Sequence, residues 1–172
     1  HDNPQTPKPQ RMKTHTGLRK LLEDQVADMY YAEKQLVKTL ENLARKAENG
    51  QLKEAFAGHL EETKGHMERL DRAFIYLGMI PQAKKCHAID GIIEEGTEIL
   101  KAFGDDPALD AGLVAAGQKA EHYEIATYGS MCAWAKELGL TALEDLLHET
   151  LEEEKAADEK LTSIAESVVN ME

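Results

Sequence analysis

Apolar residues recur every three to four positions through most of the chain, the spacing of one face of an α-helix rather than of a strand. Around the stretch QVADMYYAEKQLVKTLENL the stripe is Leu22, Val26, Met29, Leu36, Leu40 and Leu43, and Glu33 stands among them. Packing alone would favour leucine at that position, because a buried unpaired carboxylate costs several kcal/mol. The pattern predicts a first helix over roughly 16–47, capped by Thr14 or Thr16 and ended by Asn49-Gly50, a pair that tolerates left-handed backbone.

A second helix is predicted over about 52–77, with Phe56, Leu60, Thr63, Met67, Leu70, Phe74 and Leu77 inward and Gly78 and Pro81 closing it. The short connection makes the first two helices an antiparallel hairpin. His59, Glu62 and His66 lie on one flank of this stripe; His59 reads as a satisfied helix-flank histidine more often than a ligand, whereas His66, four residues after Glu62 and opposite Glu33, is the expected imidazole ligand. A shorter amphipathic helix over about 89–103 occupies a long crossover. A third long helix follows over about 107–138, with Asp106 as cap and Pro107 at its first position. Leu113, Ala116, Ala120, Glu124, Thr127, Met131, Trp134 and Leu138 face inward there, with Glu121 one turn before Glu124. The fourth, over about 141–169, opens with a Thr141–Glu144 capping box and turns Leu143, Leu146, Thr150, Glu153, Ala157, Leu161 and Ile164 inward. Residues 1–15, rich in proline and basic side chains, read as a flexible arm ahead of one helical domain over 16–172.

The two hairpins echo one another. Glu61-Glu62-Thr63-Lys64 aligns with Glu152-Glu153-Glu154-Lys155, pairing Glu62 with Glu153, and QVADMY aligns with QKAEHY, pairing Asp28 with Glu121. Hairpin register brings Glu33 opposite His66 and Glu124 opposite the turn that holds Glu153, all near mid-bundle. Carboxylates gathered in an apolar interior repel one another and take up protons unless cations neutralise them. Asp28, Glu33, Glu62, His66, Glu121, Glu124 and Glu153 are therefore the candidate metal ligands. An oxygen-rich set with a little imidazole suits two iron or manganese ions. The plain alternative makes these residues solvated helix positions, with Tyr30, Tyr31 and Tyr123 as packing aromatics.

Composition narrows the partners. The chain is long enough for one domain with a full core, and its aromatic content of 5 % with abundant Leu, Ala and Glu suits helix packing. A formal charge of −12 opposes binding to a phosphate backbone, which excludes nucleic acid as the expected partner. No run of apolar residues is long enough to span a bilayer, and no secretory signal pattern occurs in these residues. Cys86 and Cys132 are far apart and in no metal-binding spacing, as expected of free thiols in a cytoplasmic protein.

The stretches DMYYAEKQL, HLEETKGHMERLD, AAGQKAEHYEIATYG and ETLEEEKAADEKL resemble the bacterial YciE/YciF stress-protein family, a branch of the ferritin-like superfamily. The resemblance runs from about residue 16 to the C-terminus. It implies an all-α, up-down four-helix bundle with a long crossover, a homodimer, and a role under stress. The superfamily implies a di-iron or di-manganese carboxylate centre with oxidase, ferroxidase or peroxide-consuming chemistry. Its usual ligand pattern is one Glu from each of two helices and a Glu-x-x-His from each of the others. Glu33 and Glu121 match the lone glutamates, with Glu124 as an additional or competing ligand. Glu62 matches the second-helix glutamate, but its histidine, His66, comes one place late. Glu153 matches the fourth-helix glutamate, with alanine at 156 and 157 where a histidine would fall. The expected function is oxidation of Fe(II) with oxygen or peroxide. The competing expectation is a non-catalytic helical stress or interaction module whose metal site is structural or absent. A storage cage is a weaker third reading.

Overall fold

A computed structural model of the chain describes the backbone of residues 10–171 and the side chains from residue 16 to 171. Five α-helices follow in order: α1 Gln10–Lys46, α2 Gly50–Tyr76, α3 His87–Phe103, α4 Leu109–Glu137 and α5 Thr141–Ser167, with a short 3₁₀ turn at Val169–Met171. The expected arm over 1–15 falls partly outside the described residues. Gln10 to His15 already belong to α1, so neither Thr14 nor Thr16 caps it.

Several predicted termini move for local reasons. Asn49 does not end α1 with left-handed backbone; at φ −67° and ψ 130° it is the N-cap of α2, its side chain accepting from the Leu52 amide. The left-handed turns lie at Gly78 (φ 68°) and Gly139 (φ 71°), where a side chain would be strained. Asp106 accepts from the Ala108 amide at 2.8 Å within a turn, so α4 starts at Leu109 rather than at Pro107. Thr141 is the first residue of α5 and not its cap; Leu140 takes that place without a side-chain bond. Cys86 caps α3, its sulfur accepting from the Ile89 amide at 3.3 Å.

The long helices form a bundle in which α1 packs on α2, α4 on α5, α2 on α5 and α1 on α4. Every such pair is antiparallel. At one end Arg19 Nη2 donates to the Leu77 carbonyl at 3.0 Å. At the other, buried Asp110 accepts from the backbone amides of Glu48 and Asn49 at 2.9 and 2.7 Å. The start of α4 therefore sits beside the α1–α2 turn, and the crossover carries the chain the length of the bundle, with α3 lying against α4 and α1. No helix among the described residues is long and apolar enough to cross a membrane.

Burial fills the interior as two separate apolar blocks. One contains Leu22, Met29, Phe74, Tyr128 and Leu147. The other contains Leu40, Phe56, Leu113 and Leu161. The predicted α1 stripe is buried throughout, Glu33 included. On α2 and α5 the buried face is turned slightly from the predicted one. His59 and His66 are buried whereas Leu60 and Met67 are half-buried, and Glu154 is buried whereas Glu153 is half-buried. From Leu143, three turns at about 3.6 residues each reach a point nearer 154 than 153, so the true helical period selects Glu154.

Candidate metal centre

Between the two apolar blocks, at mid-bundle, six donor side chains from four helices point toward one another. Glu33 comes from α1, His59 and His66 from α2, Glu121 and Glu124 from α4, and Glu154 from α5. Helical geometry explains the placement. His59 and His66 are seven residues apart and Glu121 and Glu124 three apart, so each pair presents one face to the axis. The donors fall into two clusters, each with one ligand atom per residue and all such atoms within 4.8 Å of one another. The first is Glu33, His66, Glu124 and Glu154; the second is His59, Glu121 and Glu154. Glu154 belongs to both.

The contacts are close but leave hydrogen-bonding capacity unused. His66 Nδ1 lies 2.9 Å from Glu154 Oε1 and 3.5 Å from Glu33 Oε1. His59 Nε2 lies 2.7 Å from Glu121 Oε1 and 3.6 Å from Glu154 Oε2. Among the described residues, buried side-chain atoms that form no well-aligned hydrogen bond are Asp158 Oδ1, outside the clusters, and within them Glu33 Oε2, Glu121 Oε2, Glu124 Oε2, both Glu154 oxygens and His66 Nδ1. Native interiors leave very few such atoms, and here they converge.

Electrostatics follow from that convergence. Burial pushes the carboxyls of Glu33, Glu121 and Glu124 up, and the neighbouring Glu154 adds to the rise in each. Glu154 takes the opposite direction: burial alone would raise it, but the Glu124 and Glu121 carboxyls and the His66 and His59 rings hold it low. Burial would lower both imidazoles, yet the facing carboxylates outweigh it. His66 is pushed up to about 10 by Glu33 and Glu154, and His59 is raised well above its ordinary value by Glu121 and Glu62. The centre is therefore charged by competition among its own members, with protons retained on some acids.

A second layer fixes the rings. His66 Nε2 meets Glu153 Oε2 at 2.8 Å, and Arg69 grips both Glu153 oxygens at 2.7 and 2.8 Å. His59 Nδ1 meets Glu62 Oε2 at 3.0 Å. Each outer carboxylate leaves the other ring nitrogen facing the clusters, the arrangement that orients metal-ligating histidines. Tyr128, fully buried, donates to Glu33 Oε1 at 2.8 Å.

The residues singled out from the sequence divide accordingly. Glu33, His66, Glu121 and Glu124 enter the clusters. Glu62 and Glu153 do not: their side chains are 48 % and 32 % exposed, and they back His59 and His66 from outside. Asp28 is also outside, because its carboxylate accepts from Tyr123 at 2.8 Å, and that phenol meets Cys86 Sγ at 3.1 Å. The sequence reading did not select His59 or Glu154. His59 carried a signal, lying seven residues before His66, and Glu154 was hidden in a run of three consecutive glutamates.

The donor set fits divalent transition metals. Four carboxylates would neutralise two such ions, and oxygen-rich ligation with two imidazoles suits iron or manganese over a thiolate-bound structural metal. It departs from the common ferritin-like pattern in taking both histidines from α2 and a Glu-x-x-Glu from α4.

Comparison with known proteins agrees with this architecture. A family profile described as domain of unknown function DUF892 matches residues 17–172. Protein YciF of Escherichia coli K12 is 46 % identical over 146 residues, covering 84 % of this chain and 88 % of its own length. The crystal structure of the E. coli stress protein YciF superposes with a TM-score of 0.85 at 43 % identity, covering 90 % of this chain and 98 % of that one. YcfI from Rhodopseudomonas palustris gives 0.84 at 44 % identity, covering 86 % and 94 %. A protein from Xanthomonas campestris shares the fold at a TM-score of 0.70 and 24 % identity, covering 90 % and 94 %. By sequence and by fold, the chain belongs to the DUF892 family, the YciE/YciF branch of the ferritin-like superfamily.

Proposed function

We propose that the two clusters hold a pair of iron or manganese ions sharing Glu154, and that the loaded protein oxidises Fe(II) with oxygen or peroxide. The observation that carries this reading is the convergence, from four helices, of buried carboxylates and imidazoles whose ligand atoms in each cluster lie within 4.8 Å of one another. Such ions, when bound, supply one-electron redox chemistry toward oxygen and peroxide. The chain's own residues set the conditions. Glu33, His66 and Glu124 would hold one ion and His59 and Glu121 the other, with Glu154 serving both. Tyr128 fixes one Glu33 oxygen, and Arg69 holds Glu153 so that His66 keeps Nδ1 inward. Apolar blocks pack on either side of the donors. The E. coli relative is described as a stress protein, which accords with a defence against oxidants. Exposed Ile75, Tyr76 and Ile80 support pairing of two copies, which sedimentation would test.

Elemental analysis of protein purified without chelators, joined to anomalous-scattering maps at the iron and manganese edges, tests the site. The expected result is about two ions per chain between Glu33 and Glu121. Iron-loaded protein should then consume oxygen or peroxide faster than free iron. Failure to retain either metal defeats the proposal; retention without turnover defeats only the oxidase part.

A non-catalytic reading is favoured by one observation. The His59–Glu121 and His66–Glu154 contacts at 2.7 and 2.9 Å form a charge network that a metal-free core would also use. The same elemental analysis separates the two.

A further inference from the structure

The interior beyond the donors is incompletely filled. A cavity of about 440 Å³ runs from His59, Glu62 and Glu121 toward the α1–α2 turn. Along its length small side chains stand on the facing helices, Ala55 on α2 and Ala116 and Ala120 on α4, whereas at Gly117 an added Cβ would already meet Leu161 and Phe56 at 3.2 and 3.3 Å. Leu36, Leu40 and Leu43 form the α1 wall, and Leu100 of α3 contributes to the side. From Glu62 to Ala55 the cavity extends about 10 Å along the helix, at about 1.5 Å per residue. Its volume lies within the ~300–1,000 Å³ typical of small-molecule sites. Its rim includes the exposed residues Lys38, Glu62 and Lys160, so the cavity opens to solvent along one side.

The lining also sets the chemistry. Most of the wall is apolar, which selects an apolar body. Its ionisable side chains are Lys38, Lys160, His59, Glu62 and Glu121, and at the inner end His59 is already paired with Glu62 at 3.0 Å and with Glu121 at 2.7 Å, so that end presents an internally matched set of charges. Gln35, Lys38, Thr39 and Asn42 line its α1 side, and at one end His59 and Glu121 approach to 2.7 Å. At ~30 Å³ per water-sized group the space admits about fifteen non-hydrogen atoms.

We infer that this cavity binds an apolar organic molecule of up to about fifteen non-hydrogen atoms, with one uncharged hydroxyl head group, of the aliphatic-alcohol or phenol class, placed beside His59 and Glu121. As a binding site it stands by itself; as a substrate pocket it rests on the metal-centre reading.

Titration calorimetry with 1-decanol, on chelator-treated and on metal-loaded protein, tests the inference. One saturable site is expected in the chelator-treated protein. Ala116→Leu and Leu40→Phe, which fill the cavity away from the donors, should each weaken binding at least tenfold, with helicity by circular dichroism and metal stoichiometry unchanged. Decanoate should bind the chelator-treated protein at least tenfold more weakly than 1-decanol. Absence of saturable 1-decanol binding to the folded chain overturns the inference. So does equal binding by whichever filled variant folds, or tighter binding of decanoate. Metal uptake without alcohol binding sinks this inference alone, and alcohol binding without metal uptake sinks the metal-centre reading alone.

Discussion

His66 Nε2 and Glu153 Oε2 lie 2.8 Å apart, and that contact turns the opposite nitrogen of the ring toward Glu33 and Glu154. Two neighbouring glutamates on α5 thus act on the same histidine from opposite sides. Glu153 faces solvent and is held by Arg69, which keeps its carboxyl below the ordinary range. Glu154 is fully buried and shared by both clusters.

The first prediction separates them. Glu153→Gln keeps the size of the side chain but weakens its hold on the ring, and outer-shell changes of this kind cost ~10–100-fold in metal affinity. Glu154→Gln removes an oxygen ligand from both clusters, so both ions should be lost or weakened beyond that range. Competition against a chromophoric chelator measures both variants. Equal affinities for the two would break the assignment of inner and outer roles.

How these roles could be read from the sequence varied with position. Glu33 is legible because it interrupts a stripe whose other members are apolar, so one charged residue stands out. Glu154 is not, since three successive glutamates leave the choice to a fraction of a helical turn that a pattern of three and four residues does not resolve. His59 sits between the flank and the core on a helix where Leu60 is an equally good core residue. The internal echo pairs Glu62 with Glu153 and both prove to back a histidine, so the repeat preserves the outer layer. Its other pairing fails: Asp28 binds the Tyr123 phenol, which lies two residues beyond Glu121 on α4. The helix order and the crossover were legible throughout, because long periodic segments need only one apolar face to declare them.

Metal removal and charge removal should act in opposite directions on stability. A ligand at ~100 times its dissociation constant stabilises the native state by about 2.7 kcal/mol. For a domain of this size about 1 kcal/mol moves Tm by roughly 2–4 °C, so stripping the ions should lower Tm by roughly 5–10 °C. Glu124 is buried with one oxygen unpartnered. Glu124→Met should therefore raise the stability of the stripped protein by about 1–3 kcal/mol, the cost of an unsatisfied buried polar group. The same change should shrink the gain from added metal. Calorimetric scans of both proteins, with and without chelator, give all four values.

Metal uptake should release protons. In the metal-free centre Glu121 and Glu124 are raised well above the carboxylate range by burial, and His66 is pushed up to about 10. At neutral pH His66 holds a proton that a ligand must displace, and the raised Glu121 and Glu124 carboxyls keep theirs to higher pH than ordinary carboxylates. Apparent affinity must then fall as pH falls, because each lower step leaves more protons to displace, and it levels off only above the raised values. Titration of manganese in two buffers of different ionisation enthalpy reads the number released. A pH-independent affinity between 6 and 8 would mean that the ions bind elsewhere.

The last prediction concerns the end of the bundle that holds the crossover in place. Asp110 is buried at the start of α4, and its two oxygens accept separately from the amides of Glu48 and Asn49. Those amides lie between α1 and α2, where the chain reverses. Hydrogen bonds to a charged acceptor contribute about 1.5–3 kcal/mol, and a buried donor left alone adds its own desolvation cost. Asp110→Ala removes both of these hydrogen bonds and should destabilise the chain by roughly 2–5 kcal/mol. Asp110→Asn retains one acceptor oxygen and presents an NH₂ to the other amide, so its loss should be intermediate. Urea unfolding, read against the wild type under the same metal conditions, orders the three proteins. Because the site is remote from Glu33 and Glu154, metal stoichiometry in the folded fraction should not change. An alanine variant as stable as the wild type would show that the turn is held by α1 and α2 alone, and that the start of α4 merely rests against it.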